Sequence, residues 1–144
     1  MLWEKSCGAV IFRKGQETEY LILKYEAGHW DFAKGNIEAD ESEKDTVIRE
    51  IKEETGIGNI EFVADFREEI KYFYRRDDNL VSKRVVFFLV EAKESEVKLS
   101  FEHVDYEWLT HKKALQRLTF KTAKRILEKA SRMIKNSDEE SEDT

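Results

Sequence analysis

Residues 35–57 read GNIEADESEKDTVIREIKEETGI, and this stretch holds a helix with both ends marked. Ser42 offers an N-cap oxygen with Asp45 three residues on, a capping-box spacing, and Gly56 stands where a helix C-cap glycine belongs. At about 100° per residue, Val47, Ile48, Ile51 and Thr55 fall on one arc, the expected core face. Glu50, Glu53 and Glu54 fall on a neighbouring arc, so three carboxylates converge on one side. Arg49 precedes Glu53 by four residues, the spacing of a helical ion pair. A charge run on a helix is ordinarily its solvated face, but like charges three and four residues apart repel. A bound cation would offset that repulsion, and hard oxygen ligands select Mg²⁺ or Mn²⁺.

Outward from this helix the pattern alternates. Residues 7–12 (CGAVIF) and 20–25 (YLILKY) read as strands on the N-terminal side. Residues 26–40, with Gly28 and Gly35 among scattered polar residues, read as a long structured loop, and such loops inside compact domains are usually functional. On the C-terminal side, residues 60–66 and 69–74 are strand-like, 76–80 (RDDNL) forms a turn, and 85–90 (VVFFLV) is a run typical of a strand covered on both faces. Residues 106–109 give a short strand, 112–118 a short helix, and 120–134 a longer helix with Ala123, Ile126, Leu127, Ala130 and Ile134 on one side. Strands interleaved with two or three helices predict an α/β domain with a mixed sheet covered on both faces.

Composition narrows the class. The 144 residues suit one domain, over 1–135, and 40% apolar content suits a globular core. Five of the formal −6 charges lie in 138–143 (DEESED), so the body sits near −1 and 136–144 reads as an acidic, disordered tail. No apolar run nears the roughly 18 residues of a membrane span, and the N-terminus lacks a signal-peptide layout. Cys7 is the only cysteine, which excludes an internal disulfide and a cysteine-based metal site. A cytoplasmic protein is expected.

The spacing Gly35-x₅-Glu41-x₇-Arg49-Glu50-Ile51-x-Glu53-Glu54-x-Gly56-Ile57 meets every fixed position of the Nudix box, and the chain resembles the Nudix hydrolases. With this composition, a chance match is on the order of one in a million. The resemblance implies an α/β/α sandwich whose loop–helix–loop box holds Mg²⁺, with Mn²⁺ able to substitute, and directs water at a phosphorus of a nucleoside diphosphate linked to another group. By position, Glu50, Glu53 and Glu54 would be the metal-binding and water-activating carboxylates, and Arg49 would orient one of them. Gly35 would let the backbone turn and offer its carbonyl near metal, while Glu41 would stabilise the box.

Beyond the box, residues 7–12, Trp30-x₃-Lys34-Gly35, Phe66-x₂-Glu69-x₂-Tyr72 and Glu102-His103-x₂-Tyr106-x-Trp108-Leu109 resemble the asymmetric diadenosine-tetraphosphate hydrolases. That likeness implies cleavage of dinucleoside polyphosphates, diadenosine tetraphosphate (Ap₄A) into ATP and AMP. Lys34 and Lys83 would touch polyphosphate oxygens, Tyr72 and Phe120 would stack on an adenine, and Glu102 would add a carboxylate near the metals. Ala33 stands where relatives commonly carry proline, and Asn36 where many carry histidine. The blander readings are a solvated Lys34, core positions for Tyr72, Phe120, Trp3 and Trp108, and a His103 that satisfies a backbone group.

Three rival activities share this scaffold: trimming RNA 5′-triphosphate ends, removing aberrant nucleoside triphosphates, and attacking inositol polyphosphates. The basic–aromatic cluster 71–76 (KYFYRR) keeps RNA in view, whereas a near-neutral body suits inositol polyphosphates poorly. A non-catalytic nucleotide sensor need not keep all four box glutamates, and this chain has them. The expected partner is a small nucleotide, with no membrane and no stable nucleic-acid complex.

Overall fold

A computed structural model describes residues 1–142. In chain order it contains β1 (Leu2–Arg13), β2 (Glu19–Tyr25), β3 (Trp30–Asp31), β4 (Ala33–Asn36), α1 (Glu43–Thr55), β5 (Ile60–Phe62), β6 (Glu68–Arg76), β7 (Asn79–Ala92), β8 (His103–Thr110), α2 (His111–Arg117) and α3 (Lys121–Glu142). The two most apolar runs form its centre, where β1 and β7 pair in parallel from Leu2↔Val81 to Phe12↔Glu91. A parallel pair needs cover on both faces, and the side chains alternate accordingly. Val10, Phe12, Val85, Phe87 and Leu89 pack beneath α3 with Ile126, Leu127 and Ala130. Cys7, Ala9, Ile11, Val86 and Val90 pack beneath α1 with Val47 and Ile51.

All other pairings are antiparallel. β2 joins β1, β3 and β8, β4 joins β1, and β5 and β6 both join β7, completing a mixed sheet. The result is the α/β sandwich that the strand and helix pattern predicts.

Local departures have physical causes. The expected loop over 26–40 contains β3 and β4, because Ala33–Asn36 pairs with Ser6–Ala9 and carries Lys34 and Gly35 against the central strand. The strand expected over 60–66 ends at Phe62, and Asp65 turns with φ 65°. Ile48, expected on the core face of α1, is exposed, and Thr46 and Glu54 are buried instead. Trp3 is 74% exposed rather than a core residue.

The helix end is a further correction. Residues 136–142 continue α3, whereas residues 143–144 of the expected tail lie outside the described residues. A helix seated by Ala130 and Ile134 meets no proline or glycine beyond that point. Lys135 stands four residues before Glu139, a favourable spacing, and Lys14 reaches Asp138 at 3.5 Å.

Candidate active site

α1 begins as the sequence specifies. The Ser42 hydroxyl accepts from the Asp45 amide at 3.0 Å, and the Asp45 carboxylate accepts from the Ser42 amide at 3.1 Å. It ends at Gly56, left-handed at φ 78°, whose N–H donates to the Lys52 carbonyl. With both ends pinned, the three glutamates meet three different environments.

Glu53 is the outer one, its side chain 57% exposed. Glu50 is mostly covered and lies against Gly35, where a β-carbon would collide with its carboxyl. That close approach, not a turn, is what calls for glycine here; Gly35 lies in strand β4 with no positive φ. Glu54 is 2% exposed, and neither carboxyl oxygen has a hydrogen-bond partner. Burial first, then the charges of Glu50 and Glu102, push it up to about 9. The pattern alone places Glu53 and Glu54 together on an exposed arc, and only Glu53 is there.

Arg49 binds this group to the preceding loop. Its Nε donates to Glu41 Oε2 at 2.7 Å and its Nη2 to Glu41 Oε1 at 3.0 Å, a two-pronged pair. Its Nη1 donates to Glu50 Oε1 at 2.8 Å and to Glu53 Oε2 at 3.2 Å, and its Nη2 to the Asn36 carbonyl at 3.0 Å. The pairing with Glu53 read from spacing is present, but Glu41 is the principal partner. Arg49 accordingly holds the Glu41 carboxyl down to about 2.

These groups border a cleft of about 640 Å³. Of the residues singled out from sequence, Lys34, Gly35, Glu50, Glu53, Glu54, Tyr72, Lys83 and Glu102 line it. Arg49 stands behind the carboxylates. Phe120 lines an adjoining apolar pocket of about 330 Å³ with Ile70, Phe87 and Ala123, and Lys34 and Tyr72 border both spaces. Lys34 Nζ donates to the buried Asp31 at 3.1 Å, so it is held rather than solvated. Tyr72 and Phe120 are 42% and 45% exposed, which sets aside the reading of either as core.

His103 is buried and faces Glu54, its Nε2 3.2 Å from Oε1, instead of satisfying a backbone group. Burial pushes its imidazole pKa down. Tyr25 packs edge-on against His103 and stacks on His29 at 4.6 Å between centroids. Sequence reasoning missed Tyr25 and Phe101, both of which line the cleft, and Phe101 is 90% exposed. Phe101 had an available signal in its position beside Glu102; Tyr25 had none, since a strand-end tyrosine reads as core. Asn36, where relatives commonly carry histidine, lines the cleft as well. Its Oδ1 accepts from Ser6 Oγ and Lys83 Nζ, each at 2.8 Å.

The donor set suits a hard divalent cation. Glu50 and Glu54 offer only oxygen, and the Glu54 oxygens are buried without a hydrogen bond among the described residues even though His103 Nε2 stands 3.2 Å from Oε1, which is costly unless a proton or cation satisfies them. Among the described residues, no three acid or imidazole side chains form a finished cage.

Known proteins share this sequence pattern and this fold. The NUDIX domain family matches residues 4–130. The asymmetrical bis(5′-nucleosyl)-tetraphosphatase of Sus scrofa is 34% identical over 143 residues, covering 90% of this chain and 95% of that protein. A crystal structure of a C. elegans Ap4A hydrolase binary complex superposes with TM-score 0.82 at 28% identity, covering 92% of this chain and 98% of the other. An RNA pyrophosphohydrolase of a Nitratiruptor strain is 31% identical over 103 residues, 63% of this chain and 64% of its own length.

Proposed function

The chain belongs to the NUDIX family, and we propose that it hydrolyses dinucleoside polyphosphates, cleaving Ap₄A asymmetrically into ATP and AMP with Mg²⁺. The observation that carries this reading is the junction of two unlike spaces. A carboxylate cleft shares Lys34 and Tyr72 with an apolar pocket holding Phe120, so a polyphosphate and a base can be bound side by side. The tetraphosphatase relatives match nearly the whole chain, which supports the same choice.

In this reading Glu50 and Glu54 would hold the cation, with Glu53, Glu102 and the Gly35 carbonyl as further oxygen donors in the same cleft. The cation, Mg²⁺ or Mn²⁺ in its place, would neutralise phosphate charge and help align the attack. Lys34 and Lys83 donate to polyphosphate oxygens as compact point charges, and Tyr72 and Phe120 take an adenine by stacking. Water oxygen bonds to phosphorus, the opposite anhydride P–O bond breaks with its electron pair leaving on the departing phosphate, and a box glutamate accepts the water proton. Arg49 holds Glu50 and Glu53 in place for that step.

A second reading, action on RNA 5′ ends, has its own observation. Trp3 and Phe73 both stand opposite Ser82 on adjoining strands and are exposed, and Lys71 and Arg75 lie on the same face of β6 without an ion-pair partner among the described residues. Such a face can follow a single strand. A panel of Ap₄A, Ap₃A, nucleoside triphosphates, ADP-ribose, NADH and triphosphorylated RNA, with Mg²⁺ and with products resolved, separates the readings. Ap₄A turned over fastest to equal ATP and AMP is the expected result; preferential release of pyrophosphate from RNA overturns it.

A further inference from the structure

The register of three strands puts Glu4, Lys83 and Tyr72 in one row. Glu4 stands opposite Lys83 in the parallel β1–β7 pair, and Tyr72 stands opposite Lys83 in the antiparallel β6–β7 pair. Their side chains therefore share one face of the sheet, and two of them, Lys83 and Tyr72, line the carboxylate cleft. Glu4 does not. On its strand the cleft is reached by Ser6, two residues further on.

Lys83 is tightly held for a lysine. Its Nζ donates to Asn36 Oδ1 at 2.8 Å and to Glu4 Oε2 at 3.2 Å, and its side chain is 11% exposed. Both acceptors are themselves fixed. Asn36 Oδ1 also accepts from Ser6 Oγ at 2.8 Å. Glu4 accepts from the Tyr74 hydroxyl at 2.7 Å and from Arg76 Nη1 at 2.6 Å. An ammonium has three N–H donors; two are taken, leaving one for the cleft that Lys83 lines.

We infer that Glu4 is a positioning residue for substrate binding, holding the Lys83 ammonium so that its remaining N–H meets a phosphate oxygen. This inference rests on the reading of the cleft as a polyphosphate site. A free lysine side chain must give up substantial rotamer freedom when it binds a ligand. Here the loss is met in the unliganded protein, the usual advantage of a preorganised site. The anchoring also keeps the ammonium from the five glutamates that line the same cleft, Glu38, Glu50, Glu53, Glu54 and Glu102. A loose lysine among them would find carboxylates before it found phosphate. The same carboxylate steadies the base side of the site, because the Tyr74 ring whose hydroxyl Glu4 accepts packs against the Tyr72 ring at 6.2 Å.

The test is steady-state kinetics of Glu4→Gln, Lys83→Met and the double variant, on whichever nucleotide of the panel the wild type turns over. The outcome thus stands apart from whether Ap₄A is that nucleotide. Loss of one charge-assisted hydrogen bond to phosphate predicts a KM about tenfold higher for each single variant, with kcat within about twofold of wild type. The double variant is expected to be no worse than Lys83→Met alone, since Glu4 acts through that ammonium. Tyr74→Phe, which removes one hydroxyl and keeps the ring, is the milder probe should Glu4→Gln fold poorly; a KM rise of about two- to threefold is expected. An unchanged KM in folded Glu4→Gln and Tyr74→Phe, losses that multiply in the double variant, or a Lys83→Met variant with normal KM would each overturn the inference. A merely structural Glu4 would lower the melting temperature and leave KM alone.

Discussion

Gly35 and Glu50 occupy each other's space: the Glu50 carboxyl lies where any side chain at position 35 would begin. The glycine belongs to β4, which is fixed to β1 by pairing of Gly35 with Cys7, and the glutamate belongs to α1, which packs on that same sheet. Neither element can retreat without opening the core. Gly35→Ala is therefore expected to displace the Glu50 side chain. A displacement of about 1 Å at a reacting centre can reduce turnover by about a hundredfold. The measurement is kcat together with thermal unfolding. Near-normal turnover in a folded Gly35→Ala protein would show that the position of Glu50 does not matter to the reaction.

Glu54 gives a prediction in pH. Its carboxyl is raised from an ordinary 4.5 to about 9, burial being the main cause. The folded protein thus holds a proton that the unfolded chain releases, and stability contributed by the neutral form is full below about pH 4.5 and is lost as pH rises toward 9. Without divalent cation, the wild type is expected to lose stability between pH 6 and 9 by on the order of a few kcal/mol more than Glu54→Gln, which resembles the protonated acid. Saturating Mg²⁺ should shrink that difference, and Glu54→Gln should lack activity throughout. Equal pH slopes for the two proteins would mean that Glu54 is not carrying this proton.

Glu53 provides the contrast. Its side chain is largely exposed and, among the described residues, its ion-pair partner is Arg49 at 3.2 Å. Glu53→Gln is expected to change stability by under ~0.5 kcal/mol while activity falls steeply, because charge rather than volume is what a cation and a proton use. Wild-type turnover in that variant would remove Glu53 from the chemistry.

The end of α3 tests a correction to the sequence reading. Residues 136–142 continue the helix, yet the ion pair with the body among the described residues, Lys14–Asp138, joins two side chains that are each 54% exposed. An exposed pair of that kind is worth about 0–1 kcal/mol. Ending the chain after Lys135 is expected to lower the melting temperature by only a few degrees, roughly what 1 kcal/mol gives at this size. Kinetic constants should hold, since no described residue beyond 135 lines the cleft. A large loss of activity would assign the helix end a part in the site.

What was legible in the sequence was what is local. The cap at Ser42, the stop at Gly56 and the proximity of three carboxylates depend only on residues within a few turns of each other. What could not be read is which carboxylate faces inward. Glu53 and Glu54 are neighbours on any helical wheel, and Glu54 is buried because β8, from far along the chain, brings His103 against it. The row Glu4–Lys83–Tyr72 was equally hidden, because a parallel register between strands 79 residues apart leaves no mark in spacing. Trp3 misled for a related reason. Its hydrophobicity predicts burial, but the helix layer over that face of the sheet is built on Cys7, Ala9 and Ile11 and does not reach the start of β1.

The last prediction separates a base platform from a packing residue. Tyr72 and Phe120 border one apolar pocket, and both are too exposed for their removal to open the core. Stacking an adenine on one aromatic ring is worth about 1–3 kcal/mol. Tyr72→Ala is thus expected to raise KM for Ap₄A by about 5- to 150-fold, the range those energies give. Because a remote stack stabilises ground and transition states alike, kcat should stay nearly constant. Tyr72→Phe keeps the ring and should be mild. Phe120→Ala should act in the same direction, and more weakly if His29, whose ring centroid is 5.4 Å from that of Phe120, fills part of the space. Inorganic tetraphosphate offers no base, so its inhibition constant should be the same in Tyr72→Ala and wild type. A folded Tyr72→Ala enzyme with unchanged KM for Ap₄A, or one whose affinity for tetraphosphate falls as far as its affinity for Ap₄A, would show that the ring does not receive a base.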